Sequence, residues 1–472
     1  MFTDITQLLG KIKKIFYTGK NFSGKVDSQG VKELGYVLKY EDTSEFNIVS
    51  LLSNRLANIV CSEASAEIIS SDKNNSDNKG GRVDFLNGCL KNCLSELRLI
   101  TARTFGTGGI ILKPYIHNNK IYADIIPQSR FFVIERRGEI ITKAGFIADF
   151  FVDCENSGNN RGKPVKYIRI EEHTLGDDGS CAIENKAFVI TDKNSGNKNP
   201  GDFDFMPVKL SKVPGWEKIP RIISISDAGQ MLFSVIKCPV DNRKDSGLNN
   251  ICGVPVTYGQ DKLIKMILDL LNEIPDEYRN KKAFIGADDL LFDKDSKLPE
   301  SGLYKLFRSG GGVDKQSFWE VFSPEIRHTS YFEGLDYLFG LLEKAVSVNK
   351  GMLTDLDTTN ATATAIKRGT LDTFATVDAM RKNIENAVEK LVGAFNIIAD
   401  AFDLCEPGKS RQSGNEEYRV KFNWNYSLLE DASETWTQYL QGYHAGAVQL
   451  EELRMFIFGE DRKVSESFLD GE

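Results

Sequence analysis

The sequence predicts an α+β fold from three observations. Apolar residues recur at three- and four-residue steps through the first 110 positions. Between Ile110 and Ile236 the pattern changes to β-rich runs separated by turn residues. From Tyr258 onward the helical period returns, and it is longest between Thr362 and Asp403.

The chain has 472 residues, 59 basic and 67 acidic, for a formal net charge of −8. That length fits two to four domains of about 100–200 residues. Apolar residues at 41% and charged residues at 27% exclude a disordered chain, a collagen-like chain and a small disulfide scaffold. The mild acidity argues against a protein that grips nucleic acid through a broad basic face. It does not exclude one past which nucleic acid must slide. Cys61, Cys89, Cys93, Cys154, Cys181, Cys238, Cys252 and Cys405 contain no C-x-x-C pair, so reduced, partly buried thiols are expected, as in a reducing cytosol. Met1 to Phe16 is amphipathic, with Lys11, Lys13 and Lys14, and has no continuous apolar region of a secretory signal. No run of about 18 apolar residues suggests a membrane span.

Each element follows from local pattern. Phe46, Val49, Leu52, Leu56, Ile59 and Val60 form one helix face. After the polar loop Ser70–Gly81, Leu86, Leu90, Leu94, Leu97 and Ile100 predict a second helix, ended by Gly106, Gly108 and Gly109. GGIILKPYI, KIYADIIP, RFFVIERRGEI, KAGFIADFFVD, KYIRIEEHTL and KAFVITD read as strands, followed by a surface loop over Asp192–Asp204. Leu263, Ile264, Ile267, Leu270, Leu271 and Ile274 form the next apolar stripe, with Pro275 expected to kink or end it. A compact insert with strand-like pieces spans Ala283–Ser323. A returning helix over Glu325–Lys350 carries Phe332, Leu335, Leu338, Phe339, Leu342 and Val346. The polar link Gly351–Ala361 precedes the longest signal: Leu371, Phe374, Val377, Met380, Ile384, Val388, Leu391, Phe395, Ile398 and Phe402. A helix over Thr362–Asp403 would be roughly 60 Å long at about 1.5 Å per residue, so a spine or a kink at Gly393 is expected. The tail gives one strand, EYRVKFNW, and two short helices.

The sequence offers no complete catalytic constellation. Gly19–Lys25 (GKNFSGK) fits the spacing of a phosphate-binding loop, but Val26 stands where Ser or Thr would bind magnesium. Gly106, Gly108 and Gly109 do not complete a dinucleotide fingerprint, because Ile111 occupies the last glycine position. His117, His173, His328 and His444 lack triad or zinc spacing and read as surface or boundary residues. Asp293 and Asp295 begin like a calcium loop that Lys297 interrupts. No enzyme, cofactor or metal is therefore expected.

The order of segments is more informative than any motif. Within CPVDNRKDSGLNNICGVPVTYGQDKLIKMILDLL, Pro239, Asn242, Gly253, Asp261 and Leu263 stand in turn before and into a helix. Thr362–Ile366 reads TATAI at the start of the long helix, and residues 126–147 read IPQSRFFVIERRGEIITKAGFI. With these matches, residues 45–460 resemble the portal proteins of tailed bacteriophages, of the siphophage and prophage type. Ala365 departs from the family pattern, which has Glu there.

The resemblance implies a portal fold: a wing (1–257), stem helices (258–283 and 327–350), a small α/β clip (284–326), a tunnel loop (351–361), a long spine helix (362–403) and a helical crown (404–472). It implies a twelve-subunit ring at one capsid vertex, conducting double-stranded DNA during packaging and ejection. The implied partners are the terminase large subunit, the major capsid and scaffolding proteins, and head–tail adaptor proteins, with no membrane. The implied location is the virion, with assembly in the host cytoplasm. Thr354, Asp355, Leu356, Asp357, Thr358 and Thr359 would form the DNA-facing tunnel loop, where carboxylates repel phosphates. An ordinary polar loop capping the helix at Thr359 or Asn360 is the other reading. Lys262 and Lys265 on the stem would face phosphates or make inter-subunit ion pairs. Phe284, Tyr304, Arg308 and Trp319 would lie on the clip, facing motor and adaptor. Another structural phage protein (a minor capsid or baseplate component) and a nucleotide-driven motor resting on Gly19–Lys25 are the alternatives.

Overall fold

A computed structural model describes residues 47–62, 64–70, 81–153, 165–192, 203–243, 251–280, 283–288, 304–309, 319–322, 328–354, 363–404, 418–424 and 432–458. It is 45% helical and 30% strand, the α+β mixture that the spacing predicts. Gly19–Lys25, Asp293 and Asp295 lie outside the described residues. Two compact units emerge, each built from separated stretches of chain. One holds Ser53–Val256 and Phe374–Glu472; the other holds Thr43–Leu52 and Thr257–Thr373.

Helix α1 (Ile48–Val60) enters the first unit at Ser53, and there Leu56, Ala57 and Val60 are buried. A strand follows that helical periodicity did not reveal, β1 (Ser65–Ser70). The predicted second helix is two: α2 (Arg82–Leu94) and α3 (Leu97–Thr107). The break falls at Ser95 and Glu96, where the Ser95 hydroxyl donates to the Asn92 carbonyl at 2.8 Å. Leu94 and Leu97 are three apart across it, so the apolar register runs through unchanged. Of the three glycines expected to end this region, Gly108 does so, with φ 94° in the left-handed region. A Cβ on Gly253 would lie 1.9 Å from the Gly108 carbonyl oxygen, so both positions require glycine for backbone to pass backbone. The Gln128 side-chain amide fixes this crossing. It donates to the Gly253 carbonyl at 2.9 Å and accepts the Gly253 N–H at 3.0 Å.

Strands β2 (Gly109–His117) and β3 (Lys120–Pro127) form a hairpin through Asn118 and Asn119, both at positive φ as a tight primed turn requires. A six-stranded sheet contains β4 (Phe131–Arg137), β5 (Ile140–Asp153), β6 (Val165–Leu175), β7 (Cys181–Asp192) and β8 (Phe203–Val208) in that order. The short strand β9 (Ile222–Ile225) shares the far edge of β7 with β8. Strand β10 (Ser234–Lys237) pairs with β2 in a separate sheet, ordered β10-β2-β3. Phe132, Ile147, Ile168 and Ile170 pack one core of the large sheet. Val213 and Trp216 pack another against Ala187, and the Trp216 indole donates to Asp149 at 3.0 Å. Burying Trp216 thus leaves its one polar hydrogen satisfied.

His173 is not the surface or boundary residue the sequence suggests. It is 1% exposed on β6 and packs edge-on against Phe146 and Phe233. Its Nε2 is 2.7 Å from Glu171, whose carboxylate also accepts from Lys113 at 3.0 Å. Alternation along β6 places Glu171 and His173 on one face. Glu172, between them, pairs with Lys143 and Lys186 at 2.9 and 3.0 Å. Burial pushes the Glu171 carboxyl up, but the His173 contact and the Lys113 charge outweigh it and hold the pKa at about 2. Burial lowers the His173 pKa, against the Glu171 contact, which raises it. Burial pushes the Cys93 thiol up to about 12, so it stays protonated.

The second unit contains α4 (Asp261–Asn280), which continues through Pro275 instead of ending there. Pro275 is exposed, and water can satisfy the carbonyl it leaves without a donor. The insert forms a three-stranded sheet in which β11 (Ala283–Asp288) lies between β12 (Tyr304–Ser309), parallel to it, and β13 (Trp319–Phe322), antiparallel. The returning helix is α5 (His328–Ala345). The long signal is one helix, α6 (Ala363–Ala401), with no interruption at Gly393. Instead Gly393 makes room: a Cβ there would lie 2.7 Å from the Gln230 amide nitrogen, which donates to the Lys390 carbonyl at 3.2 Å. Val377, Met380, Ile384, Val388, Leu391, Phe395 and Ile398 are buried as the spacing predicts, whereas Phe402, just past the helix end, is 46% exposed. Strand β14 (Tyr418–Asn423) returns to pair antiparallel with β1, and α7 (Ala432–His444) and α8 (Leu450–Phe458) follow.

The buried charge cluster sets an acid limit on stability. Glu171 has a folded pKa below its ordinary 4.5, so its stabilisation is present above that value and lost as pH falls toward 2. His173 is also depressed below 6.5, so below that pH the unfolded chain takes up its proton first and stability falls. Denaturant unfolding across pH should show a decline below about 6.5, steepening below about 4.5. Glu171→Gln should cost about 3–5 kcal/mol at neutral pH, because Lys113 then stands buried without its carboxylate. It should also flatten the acid slope; an unchanged slope would remove Glu171 from this role.

Candidate functional site

In the second unit, α4 and α5 pack on each other. Ile264 and Ile267 are buried on α4, and Leu335 and Leu342 on α5. The two helices run antiparallel. The chain leaves α4 into β11 and enters α5 from β13, and Phe284 pairs with Phe322 across those strands. Gly334 admits the Leu270 side chain, which lies 3.4 Å from where a Cβ would stand. This register orders the exposed charges along the pair. Lys262, Lys265 and Lys344 are exposed toward the end away from the insert. Asp269, Glu273, Glu333 and Asp336 are exposed toward the insert. The helix pair therefore carries a basic band followed by an acidic band. Lys262 and Lys265 were singled out from sequence; the antiparallel return adds Lys344 to their end.

Beyond α5 the chain makes a tight turn around one buried carboxylate. Glu343 is 1% exposed. Its Oε1 accepts the backbone N–H groups of Gly351 at 3.1 Å, Leu353 at 2.5 Å and Thr354 at 3.1 Å. Its Oε2 accepts the Thr354 hydroxyl at 2.9 Å. Three converging amides would ordinarily form a nest for an external anion, and here the chain fills the nest itself. Ser347 and Gly351 adopt positive φ to bring those amides round. A second clasp joins the turn to the long helix. The Asn349 N–H donates to the Thr373 hydroxyl at 2.8 Å, and the Thr373 N–H points to Asn349 Oδ1 at 3.4 Å.

Thr354 is buried and its hydroxyl donates to Glu343. Asp355, Leu356, Asp357, Thr358 and Thr359 lie outside the described residues. Of the insert residues, Phe284 is on β11, Tyr304 and Arg308 are on β12, and Trp319 is on β13. Arg308 and Trp319 both pair with Ala287, in one row across the sheet; Tyr304 pairs with Ala283 and Phe284 with Lys305. Among the described residues no group of three or more His, Cys, Asp or Glu side chains is placed to hold a metal ion. No helix among them is long and apolar enough to cross a membrane. Asn242, noted in sequence, donates to the Cys252 carbonyl at 2.8 Å, a local tie beside the Gly253 crossing.

Sequence reading missed Glu343, Asn349 and Thr373. The available signal was Glu343 itself. It lies between Leu342 and Val346 on a buried helix end, where a carboxylate is costly unless fully hydrogen-bonded.

Glu343→Gln should release the turn while leaving α5 formed. A neutral amide keeps one acceptor oxygen but loses charge-assisted bonds worth about 1.5–3 kcal/mol each. Amide hydrogen exchange at Leu353 and Thr354 should accelerate at least about tenfold, with little change at Leu335 or Leu342. Equal exchange in both proteins would mean that the carboxylate does not hold the turn.

No family model matches the chain, and no curated protein matches it.

Proposed function

We propose that this chain is a portal protein, the subunit of a ring through which double-stranded DNA enters and leaves a phage capsid. One observation carries the reading: the succession of helix, three-stranded insert, antiparallel helix, anchored turn and 39-residue helix. In this reading α4 and α5 are the stem and the insert is the clip, which meets the terminase large subunit and later the head–tail adaptors. Residues 351–361 form the tunnel loop. Ring closure uses two different patches on each copy, as any heterologous interface must. The ring has twelve copies and contacts the major capsid and scaffolding proteins during assembly in the host cytoplasm. The protein is a conduit and performs no catalysis of its own.

The charge pattern supports passage with little adhesion. A basic band attracts phosphates, and an acidic band beside it repels them, so the attraction stays local and salt-sensitive. Asp355 and Asp357 would add repulsion at the narrowest level. The Glu343 nest gives such a loop a fixed root, which a segment brushing a moving polyanion requires.

Electron microscopy of the purified chain should show rings with a central channel. A monomer or a filament under all assembly conditions would refute the reading. In particles carrying Asp355→Lys and Asp357→Lys, rings should form normally while packaged DNA falls several-fold. Full packaging would take the loop out of the DNA path.

A further inference from the structure

A cleft of about 380 Å³ lies in the first unit. Phe131, Ile141, Leu175 and Met231 make its apolar wall, and Ile140, 63% exposed, stands at its lining as well. Among the described residues Lys237 and Lys390 line it with one acid, Glu139, an excess of positive charge. Ser234, also on the lining, buries a hydroxyl with no hydrogen-bond partner among the described residues.

One side of this cleft is the open edge of a sheet. Among the described strands β10 pairs with β2 alone, as the outer strand of the order β10-β2-β3. The Cys238 N–H donates to the Gly108 carbonyl at 2.8 Å, and the same register pairs Ile236 with Ile110 and Ser234 with Leu112. Those residues therefore turn their backbone groups toward β2, and the residues between them, Val235 and Lys237, turn theirs away. The outward carbonyl of Lys237 is already used, by the Asn383 amide at 3.0 Å. The outward N–H and C=O of Val235 have no bond among the described residues.

We infer that this cleft receives an extended strand from another protein chain, one with an apolar side chain next to a carboxylate. Its backbone pairs with Val235, its apolar side chain fills the wall of Phe131, Leu175 and Met231, and its carboxylate meets Lys237 and Lys390. Strand addition to an open edge supplies affinity through main-chain bonds, and flanking pockets supply the choice of side chain. The short length of β10 limits the pairing to a few residues, so the charges and the apolar wall must set the preference. The inference is independent of the channel reading.

The test uses the full chain and three fluorescent peptides: Glu-Val-Phe-Val-Glu, Lys-Val-Phe-Val-Lys and Glu-Val-Ala-Val-Glu. The acidic Phe peptide should bind at least about tenfold more tightly than either of the others. Lys237→Glu with Lys390→Glu should reverse the charge preference. In the unaltered chain, binding should slow hydrogen exchange of the Val235 amide at least about tenfold, which a ligand merely filling the apolar wall would not do. Val235→Pro removes only an outward N–H on an edge strand and should abolish binding with the thermal melt unchanged. Absence of binding by all three peptides, equal binding of the acidic and basic ones, or binding without protection of Val235 would each overturn the inference.

Discussion

The first unit depends on one buried cation. Arg381, in the middle of α6, is 1% exposed. Its guanidinium donates to the carbonyls of Ile59 and Val60, the last residues of α1, at 3.3 and 3.2 Å. A helix C-terminus presents carbonyls without intrahelical partners and a partial negative charge, and Arg381 answers both. The Trp424 ring lies 5.1 Å from the same guanidinium, and its indole donates to Glu385 one turn further along α6. The start of the unit and its C-terminal strand are thus fixed to one helix by one side chain. The remaining ties follow from that placement. Asn383 reaches β10, Gln230 reaches Lys390, and Arg82 reaches Asn396 and Asp400. Replacing a charge in such a position is costly because its desolvation is offset only by these geometric partners.

How much of this was legible in sequence varied with the range of the forces involved. The core register of α6 was readable because Val377, Met380, Ile384, Val388, Leu391 and Phe395 repeat locally. So were strands β2 and β3 and the Gly108 terminus. The split of α2 from α3 was invisible because Leu94 and Leu97 preserve the period across it. β1 was missed because its partner is β14, far along the chain, and a single short strand has no signal of its own beside amphipathic helices. His173 was misread because burial is decided by the aromatic partners Phe146 and Phe233, which come from distant segments. At the candidate site, Lys262 and Lys265 were visible, but their grouping with Lys344 needed the antiparallel return. Glu343 escaped because a carboxylate in an apolar register makes sense only once the following turn wraps onto it.

The two units solve the cost of buried charge in different ways. In the first, Glu171 and Glu172 are met by Lys113, Lys143 and Lys186 from other strands and by Arg169 and His173 from their own. In the second, Glu343 is met almost wholly by backbone amides. The first solution links strands across a sheet and tolerates little rearrangement. The second ties a carboxylate to the path of the chain itself.

The pairing of β1 with β14 has a temporal meaning. The first unit is interrupted by Thr257–Thr373, so its early helices and sheets leave the ribosome long before α6 and β14 exist. At about 5–20 residues per second, the roughly 350 residues between β1 and β14 take on the order of tens of seconds. Throughout that time the nascent chain exposes the unpaired edge of β1 and the apolar faces that Met380, Ile384 and Phe395 will later cover. Such contacts are distant in sequence and close slowly. The chain is therefore most exposed to misassembly while it is being synthesised, and completion of its last strand marks the end of that window.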